Sequence, residues 1–188
     1  MRLLLTENLR DNWDAVVAHE MAQYGAADYL EARERVLDDW WNNRCHWWAA
    51  IADEASGTIL SSASATLLAE ESILEMCRSA DAGPKSMESY YSHVQAHNHA
   101  NPVLYISSVI ISNRLHAPFL FKSLSRDLKR AQEEWGFVFN KCYCVAFNRK
   151  ARFLVERYSF KPRGLCRGKF PVYMALRSDS PIIDALLG

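Results

Sequence analysis

Apolar residues return along the first forty positions at intervals of three and four. Over residues 7–23, Leu9, Trp13, Val16, Val17 and Met21 fall on one stripe, and over 27–41 Tyr29, Leu30, Ala32, Val36, Leu37, Trp40 and Trp41 do the same. This spacing predicts two amphipathic helices. Asp28, Glu31 and Glu34 stand near the start of the second, where the helix dipole favours acids. The period then shortens. Trp47 to Ala52 reads as a strand, Asp53 to Gly57 as a turn, and Thr58 to Leu68 as the returning strand of a hairpin.

Residues 69–101 read as an insertion over the sheet. Glu70 to Arg78 and Met87 to Ala96 have helical patterns, and Asp81-Ala-Gly-Pro84 separates them. Val103 to Ile111 is a nearly continuous apolar run, as expected of a strand buried on both faces. Pro118 opens a helix to Trp135 with Phe119, Phe121, Leu124, Leu128, Ala131 and Trp135 turned inward and Gly136 closing it. Phe137 to Phe147 reads as a strand, Asn148 caps a short helix to Tyr158, Pro162 and Gly164 break the chain, and Phe170 to Leu176 is the last strand. The order is helix, helix, hairpin, insertion, central strand, helix, strand, helix, strand, an α/β plan around one mixed sheet.

The chain's 188 residues fit a single domain long enough to bury a core, and 49% hydrophobic content excludes a disordered chain. Equal numbers of cations and anions, 22 of each, argue against a general nucleic-acid binder. The distribution is uneven, however. Met1 to Ser112 holds 16 acidic and 7 basic residues, a net of −9, whereas Arg114 to Lys169 holds 14 basic and 4 acidic, a net of +10. The second half therefore carries an anion-seeking surface. The apolar run at the N-terminus is too short for a signal peptide, and no stretch has the length of a membrane span. Cys45, Cys77, Cys142, Cys144 and Cys166 form an odd set without framework spacing, and a cytoplasmic location is the simplest reading.

The segment Asn148-Arg-Lys-Ala151-Arg-Phe-Leu154-Val-Glu156-Arg157-Tyr-Ser-Phe160 resembles the Asn-x-x-Ala-x-x-Leu-Tyr-Glu-Lys-x-Gly-Phe pattern of the GNAT N-acyltransferase superfamily. The resemblance covers about 75 residues, Val103 to Leu176, with the central strand, Arg114 and the terminal strand in family order. It implies a GNAT-like mixed, mostly antiparallel central sheet flanked by helices, with 1–188 as one domain: 1–68 the acceptor-side helices and hairpin, 69–101 the insertion and 102–178 the acyl-CoA-binding half. It also implies an N-acyltransferase moving an acetyl or longer acyl group from acyl-CoA to a primary amine on a small molecule or peptide. No metal is implied, and a homodimer stays open.

By that resemblance, the central-strand backbone at Val109, Ile110 and Ile111 would lie along the pantetheine arm as an added strand does. Arg114, Leu115, His116, Ala117 and Phe119 would sit where a helix N-terminus faces the pyrophosphate, with Asn148 and Arg152 beside the arm. Two positions depart from the pattern. The loop from Arg114 to Phe119 has no glycine and carries Pro118, which lacks an N–H. Val155 stands where many members have the tyrosine that protonates the departing thiolate. Ser107, Tyr143 and Cys144, with His116, are the candidates for a replacement acid or base, because their segments flank the expected thioester.

Some branches with GNAT-like folds take their acyl group from acyl carrier protein, an acidic donor. Arg149, Lys150, Arg152, Arg157, Lys161, Arg163, Arg167 and Lys169, against Glu156 alone, give +7 in 21 residues and would steer such a carrier or the CoA 3′-phosphate equally well. A catalytically inactive binding or regulatory protein is the third reading. Asn148 serves equally as a helix cap. The tryptophans Trp13, Trp40, Trp41, Trp47 and Trp48 suit either core or acyl pocket. His93 and His97 share a helical face with His99 nearby but lack further zinc ligands.

Overall fold

The structure is a computed structural model that describes residues 1–24, 46–78, 102–136, 138–146, 148–166 and 170–187. The expected helices over 27–41 and Met87 to Ala96, with Trp40, Trp41, Cys45 and the three histidines, lie outside these residues.

Seven strands form one sheet: β1 (Arg2–Leu5), β2 (His46–Ala52), β3 (Ile59–Ala69), β4 (Pro102–Ile110), β5 (Lys141–Val145), β6 (Lys161–Cys166) and β7 (Phe170–Leu176). Their order is β1-β2-β3-β4-β5-β7-β6, and only β4 and β5 run parallel. Among the described residues, five helices flank it: α1 (Trp13–Tyr24), α2 (Glu70–Arg78), α3 (Ala117–Trp135), α4 (Arg149–Arg157) and α5 (Pro181–Leu187). The sheet is thus mixed and mostly antiparallel, as expected.

Strand alternation sorts the helices onto two faces. Trp47, Ala49 and Ile51 of β2 look toward α3, packing with Leu120, Leu124 and Leu128. Their neighbours Trp48, Ala50 and Ala52 look the other way, toward Val16 of α1. Tyr173 of β7 places α4 on the α3 face through its bond to Glu156, and Tyr143 of β5 places α2 on the α1 face through Glu70. Trp47 meets Trp135 and Phe139 at ring centroid separations of 5.7 and 6.0 Å, so Trp47 and Trp48 belong to the core rather than to a pocket wall.

Four sequence expectations need correction. The first helix begins at Trp13, not at residue 7, because the chain before it makes the edge strand β1. Thr6 ties this strand to β2, donating from Oγ1 to the Trp48 carbonyl at 3.2 Å and accepting from the Trp48 N–H at 3.0 Å. In α3 Leu124, Leu128 and Ala131 are buried and Phe121 and Trp135 pack partly buried against the core as expected, but Phe119 points into solvent and Leu120 takes the buried place at that end. Lys161–Cys166 is a strand despite Pro162 and Gly164. It lies at the sheet edge with a register shift between those two residues, where a missing N–H is tolerated. The tail adds α5, which packs Ile183 and Leu186 into the core. Gly136 closes α3 as expected, at φ 70° with its N–H on the Gln132 carbonyl.

Candidate active site

The two parallel strands pair at only three positions, Leu104↔Cys142, Tyr105↔Tyr143 and Ile106↔Cys144. Beyond Ile106, β4 continues to Ile110 bonded to β3, while β5 continues to Val145 bonded to β7. The strands part, and β4 keeps a ladder on one side only over Ser107 to Ile110. Ile106, Ser107, Val109 and Val145, which border the opening, are half-buried, whereas residues 103–105 are buried. The parting coincides with a bulge. The β3–β4 register steps from Ala65↔Ile106 to Ser64↔Ser108, leaving Ser107 as the extra residue. A bulge bends and twists its strand, and here it turns β4 away from β5.

The bulge places Ser107 on the α1 face, among the hydroxyls of β3. Its Oγ lies 2.8 Å from Ser64 Oγ and accepts from Thr66 Oγ1 at 3.3 Å, and Thr66 Oγ1 lies 2.7 Å from His46 Nδ1. His46 and Thr66 are buried, so this line runs from the interior to the opening. Neither His46 nor Thr66 was singled out from the sequence; the two are cross-strand partners only because of a bulge in the hairpin.

The other two catalytic candidates are engaged elsewhere. Cys142 and Cys144 share a face with Tyr143 on the other, as their spacing predicts. Cys144 is buried in the core, and burial pushes its thiol up to about 12, far from a reactive thiolate. Tyr143 donates its hydroxyl to Glu70 Oε1 at 2.6 Å, beside Lys141 Nζ at 2.6 and 2.9 Å from the two carboxylate oxygens. Burial, then the bond to Glu70, raises the Tyr143 phenol above its ordinary range. Burial alone would raise Glu70, but its bonds from Lys141 and Tyr143 hold it below the ordinary value. Of the three, Ser107 alone stands at the opening.

No family model matches the sequence, and no curated protein matches it. Solved structures do. Drosophila melanogaster polyamine N-acetyltransferase, which catalyses formation of N-acetylagmatine, superposes with a TM-score of 0.54 at 9% identity, covering 93% of this chain and 100% of its own. Arabidopsis thaliana NAA60 in complex with a bisubstrate analogue gives 0.51 at 12%, covering 93% and 98%. A GNAT-family acetyltransferase from Streptococcus agalactiae gives 0.51 at 14%, covering 93% and 94%. This chain has the GNAT fold. At such identities the likeness speaks of the fold and of nothing finer.

The segment after β4, expected from the sequence to face a pyrophosphate, is closed on itself. Asn113 Oδ1 accepts the Leu115 N–H at 3.0 Å, the Asn113 carbonyl accepts that of His116 at 2.9 Å, and the Arg114 carbonyl accepts that of Ala117. Pro118 has none to offer. His116 itself is buried, its Nδ1 2.9 Å from Ser61 Oγ, which also accepts from the Ser112 N–H. The histidine thus pins the turn to β3. Arg114, Leu115 and Phe119 remain exposed. The N–H groups of Leu115, His116 and Ala117 are therefore engaged within the loop itself.

At the far wall Asn148 caps α4, its Oδ1 accepting the Ala151 N–H at 2.8 Å. Arg152 donates to Glu156 Oε1 at 3.0 Å, which also accepts from Tyr173 at 2.7 Å. Val155 packs half-buried against the core. Val109 and Ile111 pack partly buried against the core and Ile110 is buried. All four described cysteines are free thiols. No cluster of three metal-ligating side chains occurs among the described residues, and no described helix is long and apolar enough to cross a membrane.

Proposed function

We propose that this protein is an N-acyltransferase that moves an acyl group from a pantetheine thioester to a primary amine. The observation that carries the reading is the parting of β4 from β5 beyond Ile106 and Cys144, which leaves one strand edge inside the sheet for an extended amide-bearing arm. With acyl-CoA as donor, the amine nitrogen attacks the thioester carbon, the C–N bond forms and the C–S bond breaks, and the proton lost by nitrogen ends on the sulfur. Backbone N–H groups of β4 at the bulge polarise the carbonyl, and holding both reactants in the opening supplies much of the acceleration. A strong acid at Val155 is then not required.

A second donor, acyl carrier protein, is favoured by the closed loop at Asn113 to Ala117. A carrier brings the same arm with one phosphate and no adenosine diphosphate. The exposed cations of α4, Arg149, Lys150, Arg152 and Arg157, lie beside exposed Phe153 and Leu154, a surface suited to an acidic partner with an apolar ridge.

Calorimetry with acetyl-CoA, a long-chain acyl-CoA and holo acyl carrier protein tests both. Binding of either CoA thioester, with amide formation on a panel of primary amines, is the expected result. Binding of the carrier alone, lost when Arg149, Lys150 and Arg152 are reversed to Glu, selects the second donor. Absence of binding to all three overturns the acyltransferase reading and leaves a scaffold that works by binding.

A further inference from the structure

The line His46–Thr66–Ser107 has a direction. A threonine hydroxyl carries one proton, and Thr66 spends its own on Ser107 Oγ. The 2.7 Å contact between Thr66 Oγ1 and His46 Nδ1 must then be donated by the imidazole, which assigns the tautomer from the network. Both bonds point outward, from the buried histidine to the half-buried serine. Ser64 is buried, with its Oγ 2.8 Å from Ser107 Oγ. When Ser64 also donates, Ser107 Oγ accepts twice and its own proton is left for the opening where β4 leaves β5.

We propose that Ser107 donates its hydroxyl proton as a hydrogen bond to the carbonyl oxygen of the bound thioester, and that Thr66 and His46 are positioning residues that aim it. The inference rests on the acyltransferase reading and adds a side-chain donor to the backbone groups of the bulge. A preset donor of this kind strengthens as charge develops on the oxygen and costs no reorientation at that moment. It stands in a different place from Val155 and serves the oxygen rather than the sulfur. No proton changes owner along the line; the hydroxyls and the imidazole only hold an orientation. Thr66→Val removes the donor to Ser107 while leaving the Ser107 hydroxyl in place, and Thr66→Ser restores it.

The test is the infrared carbonyl stretch of acetyl-CoA labelled with carbon-13 at the carbonyl, bound to the full chain; if the carrier is the donor that binds, the same label is carried there. Binding to the wild-type protein is expected to lower the frequency. Ser107→Ala and Thr66→Val return part of that shift, His46→Phe does the same, and Thr66→Ser keeps the wild-type value. Circular dichroism checks that each variant is folded; Ser107 is half-exposed, so Ser107→Ala remains usable if the fully buried Thr66→Val does not fold. A wild-type frequency in Ser107→Ala, or in folded Thr66→Val, overturns the proposal while thioester binding stands. No thioester binding by the wild-type protein overturns the acyltransferase reading, and this proposal with it.

Discussion

Ser62 and Thr66 stand on the same face of β3, both almost wholly shielded from water, and their hydroxyls fare differently. Thr66 Oγ1 has His46 on one side and Ser107 on the other, whereas Ser62 Oγ is buried with no hydrogen-bond partner among the described residues. A buried hydroxyl without a partner costs about 1–3 kcal/mol of desolvation that nothing returns. Ser62→Ala is therefore expected to stabilise the fold by about 1 kcal/mol, read as a higher urea midpoint with an unchanged slope; a lower midpoint would show that the hydroxyl is satisfied in solution. Thr66→Val should move the other way by about 1–2 kcal/mol, because it removes the hydroxyl that His46 Nδ1 and Ser107 Oγ share. The same two positions show why candidate residues resist sequence reading. Ser107 was legible from its place in a strand of family order. His46 was not, because its partner depends on a bulge: β2 and β3 pair as Ala52↔Ile59 but as Ile51↔Ser61, one residue out of step. Counted back from the turn without that step, His46 would face Ala65 and the polar line would not exist, since a one-residue slip exchanges the faces.

At the scale of elements, α2 is fixed by two contacts that differ in kind. Cys77 of α2 crosses β6 at Gly164, where an added Cβ would come within 3.0 Å of the Cys77 Cβ. Gly164→Ala should cost about 1–3 kcal/mol of overpacking, a fall in melting temperature of about 2–4 °C per kcal/mol for a chain of this length. At its other end, Glu70 holds Lys141 and Tyr143 of β5. Because Glu70 titrates below its ordinary value when folded, its stabilisation is present above that ordinary value and is lost as pH falls through the lowered one. Lys141→Met removes a partner, brings Glu70 back up, and should move acid unfolding, followed by circular dichroism, to higher pH. An unchanged acid midpoint would mean the ion pair carries no weight. Long periodic elements such as α3 and apolar runs such as β4 were readable because many residues vote for one period. β1, with four residues, and β6, with a proline and a glycine inside it, were not, since short edge strands are decided by neighbours rather than by their own pattern.

Over the whole molecule, the split of a zero net charge into −9 and +10 makes ionic strength a probe of what the basic half meets. Above about 0.15 M salt, where the screening length is about 8 Å, affinity for acyl-CoA or an acidic carrier should fall, while affinity for uncharged acetyl-pantetheine should hold; equal slopes in calorimetry would refute a role for the cations of α4. The sheet's outline also bears on how the protein survives at high concentration. Exposed strand edges invite other chains to add on and aggregate. Here one rim, β1, is only four residues long, and the other, β6, is interrupted by Pro162 and a register shift. The backbone that β4 leaves unpaired past Ile106 lies in the interior of the sheet instead of at a rim. The arrangement separates the hunger of a β-sheet for new strands from the hazard that usually accompanies it.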